Sequence, residues 1–225
     1  MREYRFPENI IRTLMEARSL DSREAFSHVS DPVVIRAVVD FAEKCRYEKA
    51  HARQVTALAL KLFDGLRDLH RCGSRERLLL QAGALLHDVG FVYGPRGHHK
   101  ASRDLILGTD TIPLSEKEKT FAALLARYHR KSLPSSEHRF YKDLPLHEQE
   151  MVGVLAGILR VADGLDRTHK GVVKDLDTEV KEDSLVITLT ADGPAEEEKK
   201  FAKLKGDLLE KVFGRPLQLR IKNSD

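Results

Sequence analysis

From residue 1 to about residue 170 the chain reads as helix after helix, with apolar residues recurring three and four apart, and three of the predicted helices carry an imidazole or a carboxylate on the apolar face. His51 lies four residues before Val55, in line with Leu58 and Leu62. His87 and Asp88 end a helix whose stripe includes Leu80 and Ala84. Asp163 follows Leu159 by four in the series Leu155, Ile158, Leu159, Ala162. A lone core histidine is usually satisfied by a neighbour, and a lone aspartate can cap a helix or pair with an arginine. Three helices that each place such a group where desolvation is costly point instead to a shared partner. A metal ion is the simplest one.

The rest of the chain is consistent with a helical body and a smaller mixed segment. Asp31-Pro32 predicts a helix start, Ser74 a cap for a helix running to Gly90, and His98–Leu107 a shorter helix. Ser115 and Glu118 form a capping box, and a long helix is predicted from about Leu146 to Thr168. Between them a polar loop from about Lys131 to Pro145 suits a lid or a plain connector. After Gly171 the period changes to two: VVKDLDTEV and SLVITLTA predict a hairpin, Ala195–Phe213 one amphipathic helix, and PLQLRIK a last strand. The expected fold is therefore mainly α, an all-helical body over 1–170 with a ββαβ (α+β) subdomain over 171–225. Residues 1–30 are expected to form an N-terminal extension with a helix from about Asn9 to Arg18.

Composition narrows the function classes. Among 225 residues, 38 Lys and Arg against 35 Asp and Glu leave a net charge of +3, too balanced for a nucleic-acid coat. Two cysteines, Cys45 and Cys72, exclude a disulfide framework or thiolate zinc site as the organising principle. No apolar run approaches a membrane span, and the N-terminal stretch is charged throughout, so the expected location is the cytoplasm, with no membrane partner.

Read together, His51, His87-Asp88 within ALLHDVG and Asp163 within RVADGLD resemble the HD superfamily of metal-dependent phosphohydrolases. HARQVTALALKLFDGL, HHKASRDLI, LLARYHRKSLP and LAGILRVADGLDRTH are similar to the C-terminal HD region of the exopolyphosphatase / guanosine pentaphosphate phosphohydrolase (Ppx/GppA) family, and the segment from KDLDTEV to FGRPLQLRI to the small domain that ends those proteins. In that family the hydrolysis of polyphosphate or guanosine pentaphosphate belongs to actin-like domains with Gly-rich phosphate loops. This sequence has no such GxGxxG or GxxxxGK loop. A stand-alone metal-dependent hydrolase is the expectation.

The resemblance implies that His51, His87, Asp88 and Asp163 ligate a divalent metal ion. Their mixed N/O set suits Mn, Fe, Co, Ni, Zn or Mg, as one ion or two. By analogy with binuclear HD proteins, His99 and His129 would hold a second ion bridged by Asp88, or act as proton donors or phosphate contacts, or be plain surface histidines; His98 is the weaker of its pair. Asp88, His99 and His129 are thus the candidate catalytic residues. Phe91 replaces the lysine that often follows HDxG in the HD-GYP group, and there is no GYP motif, which argues against a cyclic-di-GMP hydrolase of that type. Lys100, Arg127, Arg130, Lys131 and Arg167 lie within a few residues of these groups and are candidate phosphate-binding residues, each also readable as a solvated surface cation. Arg167 is favoured, and Asp166 is a candidate acceptor for a ligand histidine. The partner is expected to be an anionic phosphate-containing small molecule, a nucleotide or polyphosphate-like compound. Nucleic acid is less favoured, and a homodimer is a further expectation. The alternative is a non-catalytic HD module that binds nucleotide, polyphosphate or RNA. The tail shows no catalytic spacing of its own.

Overall fold

A computed structural model describes residues 31–223 of the chain. The expected helix at Asn9 to Arg18 and the rest of the N-terminal extension lie outside the described residues. The body consists of α1 (Asp31–Lys44), α2 (Lys49–Gly65), the single turn α3 (Arg67–His70), α4 (Ser74–Leu86), a 3-10 segment (Val89–Tyr93), α5 (His98–Leu107), α6 (Glu116–Tyr128) and α7 (Leu146–Gly164). Then follow β1 (Val173–Val180), β2 (Leu185–Ala191), α8 (Glu196–Lys205), α9 (Asp207–Phe213) and β3 (Leu217–Asn223). The chain is mainly α, with a small sheet near its C-terminus, as the change of period implies.

Helix α7 is the centre of the molecule. MVGVLAGILRVA is apolar on nearly all sides, and residues 150 to 162 are all buried, as a helix enclosed by others requires. It packs on α2, α6, α8 and α9, while α4 packs on α2 and α6, and α5 on α6. One hydrophobic core runs from Val34 and Leu62 through Leu155 to Leu189 and Leu209, and so spans both the helical body and the sheet-bearing segment.

That segment sits against α7 because two glycines open the helix face. A Cβ on Gly164 would lie 2.6 Å from the Cα of Ala202 in α8, and one on Gly157 would lie 3.1 Å from the Cα of Leu209 in α9. Glu198 of α8, fully buried, accepts a hydrogen bond from the Thr168 N–H at 3.3 Å and so ties α8 to the turn after α7. The sheet order is β1-β2-β3; β1 and β2 are an antiparallel hairpin, and β2 runs parallel to β3, with α8 and α9 forming the crossover.

Several local expectations shift. The capping box at Ser115 is present, with the Glu118 N–H donating to Ser115 Oγ and the Ser115 N–H to Glu118 Oε2. Ser74 is the first helical residue of α4 and not its cap; Glu76 accepts the Gly73 N–H at 2.6 Å. Helix α4 ends at Leu86 and not at Gly90, which instead lets the 3-10 segment touch α5. A Cβ there would meet the His98 carbonyl oxygen at 2.2 Å, and the Gly90 N–H donates to Ser102 Oγ at 2.9 Å. The expected helix over 195–213 breaks into two at Gly206, where a side chain would collide with Leu217. Helix α7 stops at Gly164, short of Thr168, which frees Asp166 to turn back toward α2.

Candidate metal-dependent hydrolytic site

Each candidate side chain sits at a helix end that faces the same space. His51 lies in the first turn of α2, His87 directly after α4, His98 at the start of α5, His129 directly after α6, and Asp163 in the last turn of α7. The N-terminal ends of α2 and α5 thus meet the C-terminal ends of α4, α6 and α7. All four histidines are buried.

Their tautomers follow from what their Nδ1 atoms face. His87 Nδ1 lies 2.7 Å from the Ala84 carbonyl oxygen, His129 Nδ1 2.7 Å from that of Ala126, and His98 Nδ1 3.0 Å from that of Pro95. His51 Nδ1 lies 2.8 Å from Asp166 Oδ2. An oxygen acceptor at each Nδ1 places the proton there and leaves a lone pair on each Nε2. Those Nε2 atoms converge on carboxylates. His51 Nε2 is 3.4 Å from Asp163 Oδ1, and His87 Nε2 is 3.4 Å from Asp88 Oδ2. On the other side of the same carboxylate, His98 and His129 Nε2 stand 3.1 and 3.4 Å from Asp88 Oδ1. The Nε2 atoms of His51 and His87 are 3.3 Å apart, two lone pairs facing each other with no proton to share.

This arrangement forms two groups, His51, His87 and Asp163 on one side and Asp88, His98 and His129 on the other. The ligand atoms of each group lie within 4.8 Å of one another. The donor set fits a divalent cation, because inward lone pairs and carboxylates are repulsive without one. Asp88 Oδ1 is buried and has no hydrogen-bond partner among the described residues, as an oxygen reserved for a cation would be. Burial pulls His129 well below the usual imidazole range, against the opposing pull of Asp88, so its ring is neutral.

A cavity of about 260 Å³ opens onto this cluster, with Asp88, His98, His129 and Asp163 at its floor. Arg130, Lys131, Arg167 and Lys205 line it as cations, and Phe91, Phe201 and Leu204 form apolar wall. Arg130 Nη1 lies 3.1 Å from His98 Nε2, and the Arg167 guanidinium lies 4.6 Å from the centre of the Phe201 ring. Lys131 and His169, both at the cavity, hold left-handed backbone with φ of 58°. Such conformations concentrate at functional sites. His169 also stacks on His51, with ring centres 3.8 Å apart.

The structure brings together His51, His87, Asp88, His129 and Asp163, and sets Arg130, Lys131 and Arg167 around them. It separates the others. His98, not His99, faces Asp88. Neighbouring residues on a helix point about 100° apart, and the start of α5 turns His98 inward and His99 toward Arg127 of α6. His99 is buried, its Nδ1 has no hydrogen-bond partner among the described residues, and burial with Arg127 nearby pulls its pKa down to about 4. Lys100 is exposed and Arg127 is buried beside Tyr128; neither lines the cavity. The tail, which shows no catalytic spacing of its own, contributes Phe201, Leu204 and Lys205 to the cavity. Lys205 is ion-paired with Asp163 Oδ2. Burial and the nearby Arg160 pull the lysine down to about 7. Nothing in the charged sequence EEEKKFAKLKGD distinguishes Lys205 from its neighbours.

The family model described as Ppx/GppA phosphatase, domain III, matches residues 33–210. The matched stretch contains all six residues of the two groups and Lys205. With two His/His/Asp groups suited to metal, that match supports a metal-dependent hydrolytic site. The chain belongs to the Ppx/GppA phosphatase domain III family.

Proposed function

We propose that this protein is a metal-dependent phosphohydrolase that cleaves a phosphate ester or anhydride of a nucleotide or polyphosphate-like substrate. The observation that carries this reading is Asp88, whose Oδ1 faces His98 and His129 while its Oδ2 faces His87. A carboxylate placed between two imidazole groups suits a site that would hold divalent cations. His51, His87 and Asp163 would hold one cation, and Asp88, His98 and His129 the other.

A divalent cation there supplies Lewis-acid activation of the phosphoryl group and of water. The chain's own residues do the rest. Arg130, Lys131 and Arg167 bind phosphate oxygens at the cavity wall and offset the charge that develops as the bond breaks. Asp166 keeps the His51 proton on Nδ1 and its lone pair inward. Phe91 and Leu204, both exposed, and Phe201 give the cavity an apolar side next to its cations. That pairing favours a phosphate attached to a flat organic group, such as a nucleotide, over bare polyphosphate. His99 has no part in this reading because it does not reach the cavity.

Among the described residues no helix is long and apolar enough to cross a membrane. Cys45 and Cys72 are buried and are not joined in a disulfide, which suits the reducing cytoplasm.

Elemental analysis of the purified protein, paired with a metal-supplemented hydrolysis screen over a phosphomonoester, a phosphodiester, nucleoside triphosphates and polyphosphate, tests the reading. Bound divalent metal with turnover in one class is expected. Metal without turnover favours a binding module, and no metal under any loading condition ends the catalytic claim.

A further inference from the structure

We infer that the C-terminal segment supplies a catalytic residue, Lys205, whose ammonium group binds the oxygens of the reacting phosphoryl group beside Asp163. This rests on the phosphohydrolase reading and adds to it a residue from outside the helical body.

The placement of Lys205 is held by its backbone. Arg160, buried in α7, donates from Nε to the Lys205 carbonyl oxygen at 3.1 Å and from Nη2 to Asp207 Oδ1 at 2.7 Å. Its Nη1 donates to the Tyr128 carbonyl oxygen at 3.1 Å, one residue before His129. One guanidinium therefore fixes the end of α8 and the end of α6 to each other. The planar fork of arginine suits that task, since its donors diverge at set angles. Gly164 lets α8 approach closely enough for Lys205 to reach the site.

The side chain then departs from the pattern of its helix. Lys203 and Leu204 are exposed, whereas the Lys205 side chain is 19% exposed and ends at Asp163 Oδ2 and the cavity. The other oxygen of Asp163 faces His51 at 3.4 Å, so the ion pair leaves the group of ligands intact. An ammonium group has three N–H donors. Asp163 takes one, and the cavity is where another can be used. A phosphoryl group entering beside Asp88 and Asp163 meets two carboxylates, and a cation within that cluster offsets their repulsion. A purely structural ion pair would not need to line the cavity.

The test uses protein reconstituted with Mn²⁺ and titrated with inorganic phosphate by calorimetry, with elemental analysis and thermal melting alongside. Two variants are compared with the wild type. Lys205→Met keeps the length of the side chain; Lys205→Gln can still donate to Asp163 and so retains the contact that a structural role requires. Both are expected to keep their metal and to bind phosphate about tenfold or more weakly. Phosphate affinity equal to wild type in the Gln variant makes Lys205 a structural partner only and leaves the hydrolase reading standing. Loss of metal from both variants means that Lys205 acts through Asp163 and overturns its role as a phosphate contact. A metal-loaded wild type that binds no phosphate sinks the hydrolase reading and this inference with it.

Discussion

Asp166 Oδ2 stands 2.8 Å from His51 Nδ1, while Asp166 Oδ1 accepts the Gly171 N–H at 2.9 Å. One carboxylate thus fixes both a ligand-type imidazole in α2 and the turn that leads from α7 into β1. Partners of this kind orient a ligand histidine and raise its basicity. Asp166→Asn removes the charge and keeps the shape. We expect metal affinity to fall about 10- to 100-fold with little change in melting temperature at saturating metal. Metal titration of the two proteins checks this, and equal affinities would confine Asp166 to holding the turn.

Asp88→Ala is expected to remove metal retention and hydrolysis together, because both imidazole groups lose the carboxylate between them. Elemental analysis of the variant decides it. Near-normal metal content would end the assignment of Asp88.

The two adjacent histidines of α5 should behave differently. His98→Gln takes an Nε2 away from Asp88 and should lower metal content, whereas His99→Gln should leave it at the wild-type level. If the two variants lose metal equally, α5 is rotated from the orientation described above.

Arg167 lies at the cavity over the ring of Phe201. Arg167→Ala is expected to raise KM or lower turnover several-fold, roughly in line with the loss of one charge-assisted contact, with metal content unchanged. Steady-state kinetics on whichever substrate the screen identifies would show it, and unchanged kinetics would return Arg167 to the surface.

Glu150 in α7 is fully buried, and neither of its carboxylate oxygens has a hydrogen-bond partner among the described residues. Burial pushes its pKa up to about 7 from an ordinary 4.5. A raised folded-state pKa means that the unfolded chain releases the proton first. The stability contributed by the protonated group is complete below pH 4.5 and is lost as pH rises through about 7. The full loss is on the order of 3 kcal/mol. Glu150→Gln abolishes that titration. The advantage of the variant in chemical denaturation should grow across this window and level off above it. A constant difference at every pH would mean that Glu150 does not titrate there.

Much of this architecture can be read from local pattern, because local pattern reflects local physics. Apolar spacing of three and four places the helices, the change to a period of two after Gly171 marks the strands, and both follow from backbone geometry alone. His51, His87, Asp88 and Asp163 stand out because burying such groups without a partner is costly wherever they occur. Where α5 begins in rotation is another matter. His98 and His99 are equivalent in sequence, and what turns one toward Asp88 is the contact between Gly90 and the first turn of that helix.

Lys205 shows the same limit at longer range. Along the chain it is one lysine among several in a charged helix, more than 40 residues from Asp163. Its position in the site comes from the close approach of α8 to Gly164 and from the three-way hold of Arg160. By itself, the sequence determined the helices, the strands and the residues too costly to bury alone. Only the tertiary structure decided which of two adjacent histidines meets Asp88 and that the C-terminal segment lends a cation to the site. Those choices depend on packing between distant segments, where close backbone approaches at glycine and the fan of one guanidinium outweigh anything periodicity encodes.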